Sequence, residues 1–167
     1  MYAKGELILY GSTGVCRVED MVTRTIPGTK EQKTYYILKP LYQECTISVP
    51  VDNTKVFMRP IISRDQANEL IDSIPEIRAE AYHSRVLREL SEHYEAAFRS
   101  HSCEDLIELT MSIYAKKQYM AKHKKKFGSV DERFMKRAES LLFGELAAAL
   151  DIPVDSVQSY IKQRIEG

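Results

Sequence analysis

The strongest candidate for chemistry in this sequence is a run of cationic side chains. Lys116 and Lys117 are followed by the segment Lys122-His-Lys-Lys-Lys126. Side chains of this type contact phosphate groups and position a protein on DNA without reading its sequence. The same run also fits a solvated helix end, where cations are favourable near the C-terminus. Both interpretations stay open from the residues alone, and Arg133, Lys136 and Arg137 extend the cluster into the following segment.

Residues that carry catalysis or bind metals do not occur here in a recognisable pattern. No carboxylate stands at a spacing typical of a catalytic pair from any of the four histidines, His83, His93, His101 and His123. The three cysteines form no Cys-x-x-Cys pair. A Cys-His arrangement formed only in space is not excluded. Cys16 and Cys45 lie in apolar runs, which favours buried, inert thiols. We therefore predict a protein that is not an enzyme and has no metal or other cofactor.

Two different periodicities organise the elements that hold these residues. Up to Pro60 the chain shows short β-type runs, predicted as five strands: Leu7 to Tyr10, 14 to 25, Thr34 to Lys39, Cys45 to Val51 and Val56 to Met58. Turn residues separate them, including Gly11, Gly14 and the pair Pro27-Gly28. Five short strands in sixty residues favour a small twisted barrel, because closure hides edges that would otherwise pair with other chains.

After Pro60 the apolar period becomes helical. Ser63-Arg-Asp-Gln66 is a capping-box pattern that begins a short helix, and Ser129 with Glu132 repeats the pattern. Between them we predict a helix over Ser84 to Ser100, with Val86, Leu87, Leu90, Tyr94 and Phe98 on its apolar face, and a third helix capped by Ser102. Asp151-Ile-Pro153 precedes the last helix. The fold class is α+β, with a barrel over residues 1–62 and about five helices over residues 63–167.

Composition limits the class of protein. The chain has 167 residues, is 44% hydrophobic and has a formal net charge of zero, so DNA binding would have to come from a local patch. No apolar run approaches the roughly 18 residues of a membrane span, and the N-terminus lacks the apolar region of a secretory signal. We expect a cytoplasmic monomer that does not contact membranes.

The order of these features resembles the CarD family of bacterial transcription regulators, whose N-terminal module is shared with transcription-repair coupling factor. The segment Leu9 to Val15 keeps the family's Tyr10 and Gly14-Val15, with Gly11 in place of a proline. The further matches are Thr23 to Ile26, Tyr35 to Lys39, Ile47 to Pro50, Met58 to Pro60, Asp131 to Glu139 and Leu142 to Ala147.

The resemblance implies a Tudor-like, SH3-type barrel that docks on the β subunit of RNA polymerase, mainly by pairing an exposed sheet edge. The family's polymerase-binding Arg corresponds to Arg24. The family's second basic contact corresponds to Ser48. This departure is expected either to weaken the polymerase contact or to shift it to neighbours such as Lys39 or Arg59.

The resemblance also implies that the helical part contacts promoter DNA at the upstream edge of the bubble, weakly and without sequence specificity. Better-studied members insert a Trp into the minor groove there, but this chain has no Trp. Tyr82, His83 or Leu90 is the expected substitute. The full set of expected DNA contacts is Tyr82, His83, Arg85, Arg88, Leu90, Lys122, Lys124, Lys125, Lys126, Arg133, Lys136 and Arg137. The alternative function is an adaptor that docks on polymerase without touching DNA.

Overall fold

The computed structural model describes residues 1–167 and divides into two compact units, Met1–Ile62 and Ser63–Gly167. The first unit is a five-stranded antiparallel sheet, and the second contains five α-helices. This architecture confirms the predicted fold class.

The sheet of the first unit has the strand order β4-β3-β2-β1-β5. The strands are β1 (Leu7–Tyr10), β2 (Gly14–Thr25), β3 (Gln32–Pro40), β4 (Ile47–Pro50) and β5 (Met58–Pro60). β4 and β5 are the two edges. Val49 of one edge and Met58 of the other pack on the same cluster of buried residues, which includes Ile8, Val18 and Leu38. The sheet therefore curls around one small core, as a barrel does.

The turn between β1 and β2 explains why glycine stands where the related family has proline. Gly11 has φ +48° and Gly14 has φ +97°, values that lie in the left-handed region. Proline is fixed near −65° and cannot adopt this conformation. A Cβ atom at position 11 would also lie only 2.8 Å from Cγ1 of Val56. The departure at Gly11 is thus a local change of turn geometry.

The strand boundaries differ from prediction: β3 is longer than expected at both ends, and β4 and β5 begin later than expected. The expected strand from Cys45 begins only at Ile47, and Cys45 lies exposed in the preceding loop, so its prediction as a buried thiol is wrong. Cys16, by contrast, is buried in β2, and burial raises the pKa of its thiol to about 11. The fifth strand begins at Met58 because Asn53 folds the preceding residues into a turn, donating to the Val56 carbonyl at 2.8 Å.

The second unit consists of α1 (Arg64–Ser73), α2 (Leu87–Phe98), α3 (Cys103–Lys122), α4 (Ser129–Leu150) and α5 (Val157–Glu166). Its buried side chains come from all five helices and include Ile71, Tyr94, Ile113, Leu146 and Val157. α4 contributes more of them than any other helix, so it forms the centre of this bundle.

The start of α2 was predicted too early. Val86 precedes the first helical residue and has an extended backbone, and Val86 and Leu87 are 52% and 62% exposed instead of buried. The Ser84 hydroxyl bonds the Val86 amide at 3.2 Å, so this segment is held by a local polar turn. Two large apolar side chains are therefore left at the surface.

The two predicted capping boxes have different outcomes. Ser63 accepts from the Gln66 amide at 3.1 Å, and Gln66 accepts from the Ser63 amide at 2.9 Å, so the first box is confirmed. At α4 the N-cap is Gly128 without a side-chain hydrogen bond, and Ser129 is already helical, so the second box is wrong.

This difference gives a matched pair of variants. Ser63→Ala is expected to lower the free energy of unfolding of the helical unit by about 1 kcal/mol, the usual contribution of an N-cap hydroxyl. Ser129→Ala is expected to have almost no effect, because its hydroxyl caps nothing. Urea denaturation followed by circular dichroism at 222 nm measures both. Equal losses in the two variants would contradict the assignment.

Candidate interaction surfaces

Arg24 lies on the outer face of the sheet, opposite the core. Tyr36 and Leu38 of β3 point into the core, so the alternating residues Tyr35, Ile37 and Lys39 share the outer face. The Arg24 guanidinium donates to the Ser48 hydroxyl at 3.5 Å and lies 5.6 Å from the ring centroid of Tyr35. Two of the predicted polymerase contacts, Arg24 and Ser48, therefore meet across β2, β3 and β4.

The other two predicted contacts are placed differently. Lys39 is exposed on the same face as Tyr35 and pairs across the strands with Arg17 of β2. Arg59 lies on β5, at the opposite edge of the sheet, where its guanidinium donates to the Pro60 carbonyl at 3.0 Å. Arg24, Ser48 and Lys39 therefore share one face of the sheet, and Arg59 lies apart from them at the other edge.

The β4 edge leaves few backbone groups available for pairing. The Val51 amide bonds the Thr34 carbonyl at 3.1 Å, so alternate residues of this strand, Ser48 and Pro50, turn their backbone polar groups away from β3. Pro50 has no amide hydrogen. The free edge therefore offers one amide donor at Ser48, beside the Arg24 side chain that bonds the Ser48 hydroxyl.

The helical unit contains a groove of about 510 Å³ whose lining mixes basic and apolar side chains. Six of its lining residues are exposed: the predicted DNA contacts His83, Arg85, Lys125 and Lys126, and two residues that the sequence analysis did not assign to DNA. These are Leu87 and Tyr119, which is 41% exposed. We refer to these six residues as the basic groove.

The backbone of the α3–α4 loop holds the lysines of the groove in a defined turn. Lys124 has φ +54°, and the Lys125 amide bonds the Met120 carbonyl at 2.7 Å, which ends α3 with a left-handed residue. Lys122, Lys124, Lys125 and Lys126 are all exposed. The predicted lysine cluster is therefore one loop at the end of α3, beside the groove.

Aromatic rings contact one another edge-on or at a tilt beside the groove. The His83 ring contacts Tyr119 with a centroid distance of 4.9 Å, and Tyr119 contacts His123 at 4.2 Å. Tyr82 is already stacked on His93, with centroids 3.6 Å apart and planes 7° from parallel. Burial lowers the pKa of His93. The Tyr82 ring therefore holds the 77–86 segment against α2, while the rings of His83 and Tyr119 face the groove.

The remaining predicted DNA contacts have other roles in the fold. Leu90 is 3% exposed and is part of the core, so its prediction as a DNA wedge is corrected. Arg137 bonds Glu95 at 2.7 Å and lies 4.0 Å from the Phe98 ring centroid, which ties α4 to α2.

Three more of the predicted DNA contacts have side-chain partners within their own helices. Arg88 pairs with Glu92 at 3.2 Å, Lys136 pairs with Glu132 at 3.5 Å, and Arg133 lies over Phe134. None of them lines the basic groove.

A buried ion pair that sequence analysis missed lies under the groove. Lys116 donates to Asp131 Oδ1 at 2.9 Å, and the Tyr94 hydroxyl donates to the same oxygen at 2.6 Å. Both charged side chains are 5% exposed. Burial, together with the hydrogen bond to Asp131, raises the pKa of Tyr94 well above its usual range. Lys116 and Asp131 both line the groove, so this network joins α2, α3 and α4 at its floor.

Comparison with known families matches the first unit of the chain. Residues 2–62 match the family model of the CarD-like/TRCF RID domain, and residues 63–167 lie outside the match. The N-terminal unit is therefore similar to this domain family, and the match is consistent with the CarD-like protein that the resemblance implied. The RID family is a family of non-catalytic interaction domains, and the match of residues 2–62 suggests interaction with RNA polymerase.

No group of three or more His, Cys, Asp or Glu side chains is arranged to hold a metal ion. None of the helices has the length and apolar character needed to cross a membrane.

Proposed function

We propose that this chain is a transcription regulator that binds the β subunit of RNA polymerase through its sheet and stabilises the promoter open complex through its helical unit. The observation that carries the proposal is the match of residues 2–62 to the CarD-like/TRCF RID domain. The basic groove supports the second half of the proposal, because it combines cationic side chains with exposed apolar groups.

The polymerase contact is proposed at the outer face of β2, β3 and β4. The β4 edge accepts an extended strand of the partner through the backbone of Ser48, and Arg24 lies beside it to bind a carboxylate or carbonyl. An Arg packed over an aromatic ring is held in place, so it loses less rotamer freedom on binding than a free side chain. Lys39 adds a second positive charge on the same face.

The DNA contact is proposed at the basic groove, with promoter DNA at the upstream edge of the bubble. Arg85, Lys125 and Lys126 contact phosphates, while Leu87 and Tyr119 replace the Trp that this chain lacks. A protruding Leu can act as a wedge between base pairs, as apolar side chains do in other minor-groove complexes. Tyr119 supplies a ring on which an unpaired base can stack.

Weak DNA binding is sufficient in this arrangement. The chain has a net charge of zero, so the groove alone provides only a few phosphate contacts. Tethering to polymerase converts DNA binding into an intramolecular step with a high effective concentration. The protein then acts on promoter DNA only where polymerase has already bound.

Arg24→Glu tests the polymerase half of the proposal. The substitution places a negative charge at the β4 edge, and we expect affinity for the purified polymerase β subunit to fall by about 30-fold or more, the range of interface hot spots. Lys55→Glu is the control, because it makes the same charge change at an exposed position in the loop before β5. Biolayer interferometry with the full chain measures both. Equal affinities for the two variants would contradict the proposed surface.

The second candidate function is an adaptor that docks on polymerase without touching DNA. It is favoured by the side chains of Arg88, Lys136 and Arg137, since each is engaged by a glutamate within the helical unit. The two functions differ in what the lysines of the basic groove do, and removing those charges distinguishes them.

A further inference from the structure

A second groove, of about 340 Å³, lies in the helical unit between α3, α4 and α5. Its volume falls at the lower end of the range for small-molecule sites, about 300–1,000 Å³. Its main apolar lining residues are Ile107, Met111, Leu142, Phe143, Leu146 and Ile161. This apolar groove has no lining residue in common with the basic groove.

The position of α5 explains why the space is open. α5 is fastened to α1 on its other side, by a hydrogen bond from Tyr160 to Asn68 at 2.6 Å and by the paired contacts of Arg164 with Asp72 at 2.6 and 3.0 Å. The bidentate contact to Arg164 lowers the pKa of Asp72. Because these contacts hold α5 against α1, the helix does not close over α3, and apolar side chains remain accessible between them.

Polar groups at this groove are few and favour one charge. Lys162 is the only charged lining residue, it is exposed, and it takes part in none of the ion pairs of the helical unit. Tyr114 also lines the groove, and burial, with the nearby Glu139 carboxylate, raises the pKa of its hydroxyl. That hydroxyl is hydrogen-bonded to Glu139, so Lys162 is the group at this groove that can bind an anionic head group.

We propose that the apolar groove binds a small amphipathic carboxylate with an unbranched tail of about ten carbon atoms. The tail lies against Met111 and Phe143, and the carboxylate pairs with Lys162. A volume of about 340 Å³ holds about eleven groups of water size, at roughly 30 Å³ each, which sets the tail length. The site is independent of the proposed polymerase and DNA surfaces.

Titration of the full chain with decanoate tests this site without polymerase or DNA. We expect saturable 1:1 binding by isothermal calorimetry, with amide chemical-shift changes confined to α3, α4 and α5. Decanol and decyltrimethylammonium, which have the same tail with a neutral and a cationic head, are expected to bind at least tenfold more weakly. Equal binding of the three amphiphiles, or no saturable binding of decanoate, would overturn the proposal.

Two substitutions locate the site. Lys162→Gln is expected to weaken decanoate binding by about tenfold, the usual loss for one charge-assisted hydrogen bond, while Lys136→Gln, at another exposed lysine of the unit, leaves it unchanged. Met111→Trp fills the groove and is expected to abolish binding. If that variant does not fold, the two lysine variants still test the site. Equal decanoate affinities of Lys162→Gln and Lys136→Gln would refute the assignment.

Discussion

Replacing Asp131 with Ala is expected to lower the free energy of unfolding of the helical unit by about 3–5 kcal/mol, the range for breaking a buried ion pair. The variant leaves the Lys116 ammonium buried at 5% exposure without its carboxylate and removes the acceptor of the Tyr94 hydroxyl. Desolvated charges without a partner are among the most destabilising features of a protein interior. Thermal and urea denaturation measure the loss.

A neighbouring residue provides the control for this prediction. Glu132→Ala removes a carboxylate one position along α4, but Glu132 is exposed and pairs with Lys136 only at 3.5 Å on the surface. Such pairs contribute about 0.5 kcal/mol or less. A loss for Asp131→Ala that is no larger than the loss for Glu132→Ala would contradict the buried network.

Replacing all three residues of the network tests whether the polar groups themselves stabilise the fold. A triple variant, Tyr94→Phe, Lys116→Met and Asp131→Leu, removes all three polar groups together. Apolar replacement of a complete buried ion pair is often neutral or stabilising, so this variant is expected to recover most of the stability that Asp131→Ala loses. In the triple variant the floor of the basic groove carries no charge pair between α3 and α4. Its DNA affinity can therefore be compared with that of the unsubstituted chain at similar stability.

Removing two lysines of the basic groove is expected to give the largest functional change. Lys125→Gln with Lys126→Gln should weaken binding to forked promoter DNA by about tenfold near 0.1 M salt and reduce the salt slope by about 1.8, because each phosphate contact contributes about 0.9. Fluorescence anisotropy at several salt concentrations measures the slope, with the full chain bound to polymerase.

The matched control removes the same charge from the same unit. Lys136→Gln with Lys162→Gln also replaces two exposed lysines, neither of which lines the basic groove. This control is expected to leave the salt slope within about 0.3 of the unsubstituted chain. If the two double variants behave alike, the lysines of the α3–α4 loop only solubilise the protein, and the adaptor function is favoured.

Local signals in the sequence predicted what is local in the structure. The capping box at Ser63 and Gln66 needs only residues three positions apart, and it forms as predicted. At Ser129 the same pattern fails, because the extended backbone of Gly128 already serves as the N-cap and places Ser129 inside the helix. A residue pattern therefore locates the start of α4 but does not say which residue caps it.

Helical periodicity alone misplaced two apolar residues, one of which lines the basic groove. Val86 and Leu87 continue the spacing of Leu90 and Tyr94, which predicts burial. In the structure the polar turn at Ser84 keeps the chain extended before Leu87, so both side chains are exposed. Periodicity therefore assigned Leu87 to the core, although it lies beside the cationic residues of the basic groove.

Contacts between distant segments were beyond the reach of pattern analysis. Lys116 and Asp131 lie on different helices, and the sequence shows only an ordinary lysine within a cationic run and an ordinary acidic residue near a helix start. Their pairing depends on how α3 and α4 pack. The same limit applies to Arg137, which looked available for DNA and instead contacts Glu95 of α2.

The lifetime of a promoter open complex, measured after heparin challenge with the full chain present, tests the central claim most directly. The account predicts that the unsubstituted chain lengthens the lifetime and that Arg24→Glu abolishes this effect by weakening polymerase binding. It also predicts that the Gln variant of Lys122, Lys124, Lys125 and Lys126 abolishes the effect while polymerase binding persists. An unchanged lifetime with the unsubstituted chain, or full lengthening by the four-lysine variant, would contradict it.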